Sequence, residues 1–96
     1  MQDKITEKRL EKEFLITGKA LKKIKIAVPK KSHFYKAAED CLDMAKRYYS
    51  DAQHFEKKGD LASAFGALNY AHGWLDAGAR LGLFDVDHDS SLFTVD

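Results

Sequence analysis

Cysteine is nearly missing from this chain: Cys41 stands alone among 96 residues. No intramolecular disulfide can form, and no zinc-type ligand spacing is present. A free cysteine on an apolar helix face is ordinarily a small buried hydrophobe, so Cys41 is read as core in a reducing compartment. Proline is equally scarce, with Pro29 the single example, so long helices can run on either side of it. No stretch approaches the length of a membrane span, and the opening "MQDKITEKRLEKEF" has no apolar run of signal-peptide type. A cytoplasmic protein with no membrane association is expected. An excess of one charge is lacking too. The formal net charge is +1, which gives no global field to recruit nucleic acid or an anionic surface. Strand-type alternation is also absent.

What is present is helical periodicity. With 45% hydrophobic and 32% charged residues, the composition is that of one soluble globular domain spanning residues 1–96. Leu10, Phe14, Leu21, Ile24 and Val28 form one stripe of a first helix, expected over about residues 4–27 and ended by Pro29. Ser32 is a suitable N-cap for a second helix over about 33–58. Its residues Phe34, Ala38, Cys41, Ala45, Tyr48, Ala52 and Phe55 recur in alternating steps of four and three. The connection "KKGD" then supplies cations for the helix terminus, a left-handed cap at Gly59 and an N-cap at Asp60. So short a link forces an antiparallel hairpin.

The third helix, over about 61–81, carries two adjacent apolar rows. One runs through Leu61, Phe65, Leu68, His72, Leu75, Ala79 and Gly82; the other through Ala64, Ala67, Ala71, Trp74, Gly78 and Leu81. That stripe is wider than one neighbour needs, so this helix should touch two. The architecture expected is all-α: an up-down-up three-helix bundle with a short non-helical C-terminal tail over 82–96. Gly82 followed by Leu83 reads as a helix C-cap. Gly66, Gly73 and Gly78 are interior, and each costs about 1 kcal/mol relative to alanine. Gly78 lies in an apolar row and suits an internal contact. Gly66 and Gly73 lie on the opposite side, where either close approach of a second chain or a ligand explains them or they are merely tolerated.

The run "AKRYYSDAQHFEKKGDLASAFGALNYAHGWLDAGARLGLFDV", with the terminal "SLFTVD", resembles the archaeal domain-of-unknown-function family 357. The most specific portions are "YAHGWLDAGARLGLF" and "YYSDAQHFEKKGD". The resemblance implies a small all-helical domain of archaeal source, and it implies no reaction and no catalytic residue.

Four constellations could carry chemistry. Asn69, His72, Asp76 and Arg80 follow one another in steps of three and four along one edge of the third helix. Asp76 could orient the His72 imidazole and pair with Arg80, which builds either a general base or a satisfied polar seam; the seam is the reading adopted, since no nucleophile or phosphate loop accompanies it. Arg47 and His54 are similar in spacing to the Arg-x4–6-His signature of HEPN-type ribonucleases, although here the pair sits in the middle helix rather than near the last. Against that stands an ordinary solvated face, on which Asp43 with Arg47 and Lys36 with Asp40 are i,i+4 pairs. In "DVDHDSSLFTVD", Asp85, Asp87, Asp89, Leu92 and Asp96 fall on calcium-loop positions, but Ser90 replaces the turn glycine and a short Asp ends the loop; a solvated turn with Leu92 and Phe93 folding back is expected. Lys8, Lys12, Lys19, Lys23 and Lys30 lie near one stripe of the first helix as a phosphate-binding face would, yet acids precede bases there in the order the helix dipole favours.

The function expected is therefore a non-enzymatic interaction or self-association module, with Gly66, Asn69, Tyr70, Gly73, Asp76 and Arg80 as interface candidates and a protein partner or second copy as ligand. No metal or cofactor is expected. The alternative is an RNA-directed activity.

Overall fold

The computed structural model describes residues 5–86 and Leu92. Its elements are α1 (Glu7–Lys23), β1 (Lys25–Ile26), α2 (His33–Lys57), α3 (Leu61–Arg80) and β2 (Phe84–Asp85). The up-down-up three-helix bundle is present as expected. Of the tail, only residues up to Val86 and Leu92 fall within the described portion.

Capping explains most boundaries. The Thr6 hydroxyl accepts from the Arg9 N–H at 3.1 Å, the Ser32 hydroxyl from the Phe34 N–H at 3.1 Å, and the Asp60 carboxylate from the Ser63 N–H at 3.1 Å. Each thereby satisfies a donor the helix cannot. At the far ends, Gly59 and Gly82 adopt left-handed φ of 79° and 78°. Asp60 N–H donates to Phe55 O at 3.0 Å and Leu83 N–H to Gly78 O at 2.9 Å, closing the six-to-one bonds of Schellman caps. Asp60 thus ends one helix and starts the next, which is why the hairpin needs so few residues.

The first helix departs from expectation. It stops at Lys23 rather than near Ala27, and Ile24 is already extended with ψ of 140°. β1 then pairs antiparallel with β2, Lys25 opposite Asp85 and Ile26 opposite Phe84, and the Ala27 N–H donates to Leu83 O at 2.8 Å. The β-branched Ile24, Ile26 and Val28 prefer extended backbone, and Pro29 restricts the residue before it. A two-residue ladder is too short to leave an alternating pattern in the sequence.

Helix α3 lies against both α2 and α1, most extensively against α2, while α1 and α2 barely meet. The α2–α3 contact is built on small residues. Ala38, Ala45 and Ala52 are buried on α2, with Ala64, Ala71 and Gly78 buried on α3. Both sets recur every seventh residue and lie symmetrically about the Lys58–Gly59 turn, so the antiparallel register brings small residues level with one another. Two apolar clusters result. One gathers Ala20, Ile24, Leu75, Leu83, Phe84 and Val86 near the β ladder; the other gathers Leu10, Ala52, Ala64 and Leu68 toward the opposite end. Among the described residues, no helix is long and apolar enough to cross a membrane.

Candidate functional site

Most of the interface candidates occupy the exposed side of α3. Ala62, Gly66, Asn69, Tyr70, Gly73, Ala77 and Arg80 are all exposed. Steps of three and four keep them on one face for the roughly 30 Å length of the helix. Until Arg80 none of them is charged, whereas the exposed faces of α1 and α2 carry Lys, Arg, Asp or Glu at nearly every turn. A methyl built at Gly66 or Gly73 would meet nothing within 4 Å, so nothing among the described residues requires glycine at either place. Gly78 is different, because a methyl there would overlap the Phe84 ring. Its glycine serves internal packing, as its apolar row implies.

Asn69, Tyr70, Gly73, Trp74 and Ala77 line an open depression of about 300 Å³. Tyr70 stands 53% exposed. Its ring meets Tyr48 of α2 edge-on at 4.4 Å between centroids and Trp74 at 6.3 Å. An aromatic held between two others has little conformational freedom left to lose on contact with another molecule. Tyr48 was legible only as core; its support of Tyr70 depends on the hairpin register, which the spacing within one helix does not encode.

The polar seam forms in part. Thr17 of α1 is completely buried, and its hydroxyl lies 3.3 Å from His72 Nδ1. His72 Nε2 contacts the Leu92 carbonyl and lies 3.6 Å from Asp76 Oδ1. With the proton on Nε2, that N–H donates to Leu92 O while Nδ1 accepts from Thr17. Both ring nitrogens are thus engaged, and the imidazole joins α1, α3 and the chain after β2 across the gap between the two apolar clusters. Among the described residues, no ion pair links Asp76 to Arg80; Asp76 is half-buried toward His72, while Arg80 is exposed one turn on. Asn69 faces the depression beside Tyr70. Thr17 was not singled out in the sequence, since a lone threonine in an apolar stripe carries no pattern.

Arg47 and His54 both lie exposed on α2, two turns apart. Arg47 Nε donates to Asp43 Oδ2 at 2.8 Å, which is the expected i,i+4 pair, and the His54 ring meets Phe55 edge-on. No such pair joins Lys36 to Asp40 among the described residues. Asp85 belongs to β2, while Asp87, Asp89, Ser90, Phe93 and Asp96 lie outside the described residues. Among those described, no group of three potential ligands is close enough to hold a metal ion. Cys41 is half-buried. Burial, and secondarily the neighbouring Asp40 carboxylate, push its thiol pKa upward, away from the reactive thiolate form.

A further surface had no counterpart in the sequence reading. Because α1 and α2 hardly touch, an open groove of about 450 Å³ runs between them, with Phe14, Gly18 and Tyr49 among its lining residues. Leu15 stands 59% exposed on its rim. Leu15 falls outside the α1 stripe, and that offset was the available signal.

The family model described as "Protein of unknown function (DUF357)" matches residues 14–84, from the middle of α1 to the start of β2. No curated protein and no solved structure matches the chain.

Proposed function

Because this chain belongs to the family described as "Protein of unknown function (DUF357)", a description that assigns no activity, we propose from geometry alone that it is a non-enzymatic self-association module whose α3 face docks a second copy. The observation that carries this reading is the uncharged exposed strip from Ala62 to Ala77, interrupted by a supported aromatic knob at Tyr70 and an adjacent hole at Gly73. Knob and hole lie one turn apart on the same helix. Two copies related by a two-fold axis can therefore seat each Tyr70 over the other's Gly73, and such self-complementarity is what an isologous dimer requires. Small residues at Gly66, Gly73 and Ala77 let the helix axes come near the short end of the usual 8–10 Å range. Tyrosine is also among the side chains that most often dominate interface energetics.

Sedimentation equilibrium on wild type and Gly73→Leu tests the proposal. The first added carbon meets nothing within 4 Å and the residue is exposed in the single chain, so the variant should fold while its mass falls from two chains to one. A wild-type mass of one chain across the micromolar range, or a dimer indifferent to the substitution, contradicts it. Cleavage of RNA by wild type but not by His54→Ala would instead establish the Arg47 and His54 reading.

A further inference from the structure

We propose that the end of the molecule where α1 finishes and α2 begins is a binding site for single-stranded nucleic acid, read without sequence preference. Between Glu13 and Glu39 the chain holds seven lysines and His33 and no acid. These residues cross from the last turns of α1 through β1 to the first turn of α2, and β1 lies against α2, so they gather at one end. Lys22, Lys25, Lys30, Lys31 and Lys36 are exposed. The near-neutral total charge does not oppose this, because screening confines each charge to about 8–10 Å and only the local balance matters.

Helix stability explains only part of the cluster. Lys22 and Lys23 sit in the last turn of α1, where the dipole favours cations. Lys30, Lys31, His33 and Lys36 surround the start of α2, where the dipole disfavours them, and the first turn of α2 contains no acid to compensate. Phe34 lies among these groups and is 63% exposed. The Phe34 amide is already satisfied by Ser32, so side chains rather than helix amides constitute the site. Among the described residues, the carboxylates nearest in the fold are Asp85, opposite Lys25 in the ladder, and Glu39 and Asp40 farther along α2.

Lysines spread over three elements with one exposed aromatic match what a flexible polyanion needs. Point charges follow the phosphates, and a ring offers one base a surface to stack on. A bilayer would call for a broad apolar face, and the exposed large hydrophobic side chains at this end, Phe34 and Leu81 at the C-cap of α3, are two among the lysines.

Fluorescence anisotropy with a labelled oligouridylate across a salt series provides the test, alongside co-sedimentation with phosphatidylserine vesicles. Wild type should bind the oligonucleotide with an affinity that falls as salt rises. Replacing Lys30, Lys31 and Lys36 together by glutamine should reduce the log–log salt slope by about 2, at roughly 0.7 per phosphate contact. Phe34→Ala should weaken binding roughly tenfold with the slope unchanged, the loss of a stacked base. Circular dichroism should show these surface variants keeping the helical fold. Absence of salt-dependent binding by wild type, an unchanged slope in the triple variant, or binding confined to the vesicles would overturn the proposal.

Discussion

At the scale of single residues, the interior glycines of α3 fall into two kinds. Gly78 is a packing residue, since the Phe84 ring occupies the space its side chain would take. Phe84 is itself buried, so Gly78→Ala should destabilise the fold by about 1–3 kcal/mol through overpacking. Gly73 faces open space, so Gly73→Ala should stabilise the single chain by about 1 kcal/mol from helix propensity alone. Opposite shifts in thermal midpoint for these two variants, measured under dilute conditions, are the expected outcome. A second residue-scale consequence concerns Asp60, whose carboxyl is held below its ordinary pKa by the side-chain and then the backbone hydrogen bond with Ser63. A depressed folded-state pKa adds stability that is fully present above the unfolded value, near 3.9, and lost as pH falls through the folded value. Asp60→Asn keeps an acceptor without the titration. Any advantage of wild type over this variant at neutral pH should therefore shrink below about pH 4, as followed by denaturant midpoints.

At the scale of elements, α2 and α3 were legible almost to the residue because several signals coincide at each boundary. Ser32 and Asp60 cap, Gly59 and Gly82 terminate, and the apolar steps of four and three run unbroken between them. Gly59 also shows that open space and backbone freedom are separate requirements. A methyl there meets nothing, yet φ is 79°, so Gly59→Ala should cost about 1–2 kcal/mol, in contrast to Gly73→Ala; paired chemical denaturation curves check this directly. The end of α1 was illegible for the converse reason. Ile24 and Val28 continue the helical stripe in spacing, but their branched side chains and the following Pro29 favour extension. The deciding partner, Phe84–Asp85, lies far along the chain. Ile24 is buried in the extended conformation it adopts, and its apolar spacing fits a helical stripe equally well.

At the scale of the whole molecule, the two proposed surfaces differ in the property that defines each. The α3 face is notable for lacking charge, and the α1–α2 junction for lacking charge of one sign. Much of the first was readable from Gly66, Gly73 and their neighbours, because glycine in a helix interior has a cost that calls for an explanation. Its aromatic support was not, since Tyr48 reaches Tyr70 only through the register of the hairpin. The expected pairing of Asp76 with Arg80 gave way to Asp76 turning toward His72, whose second nitrogen is taken by Thr17 of α1. That outcome depends on how α1 docks on α3, which no pattern within one helix records. The α1–α2 groove was hidden for the same reason: it exists because the two helices meet only around Tyr49.

The measurement that tests self-association most directly is an isotope-filtered NMR experiment on a mixture of labelled and unlabelled chains. The expected result is intermolecular cross-peaks between the Tyr70 ring of one copy and the Gly73 α-protons of the other, disappearing in Gly73→Leu. Cross-peaks confined to other surfaces, such as the Leu15 rim of the α1–α2 groove, or none at millimolar concentration, would contradict it.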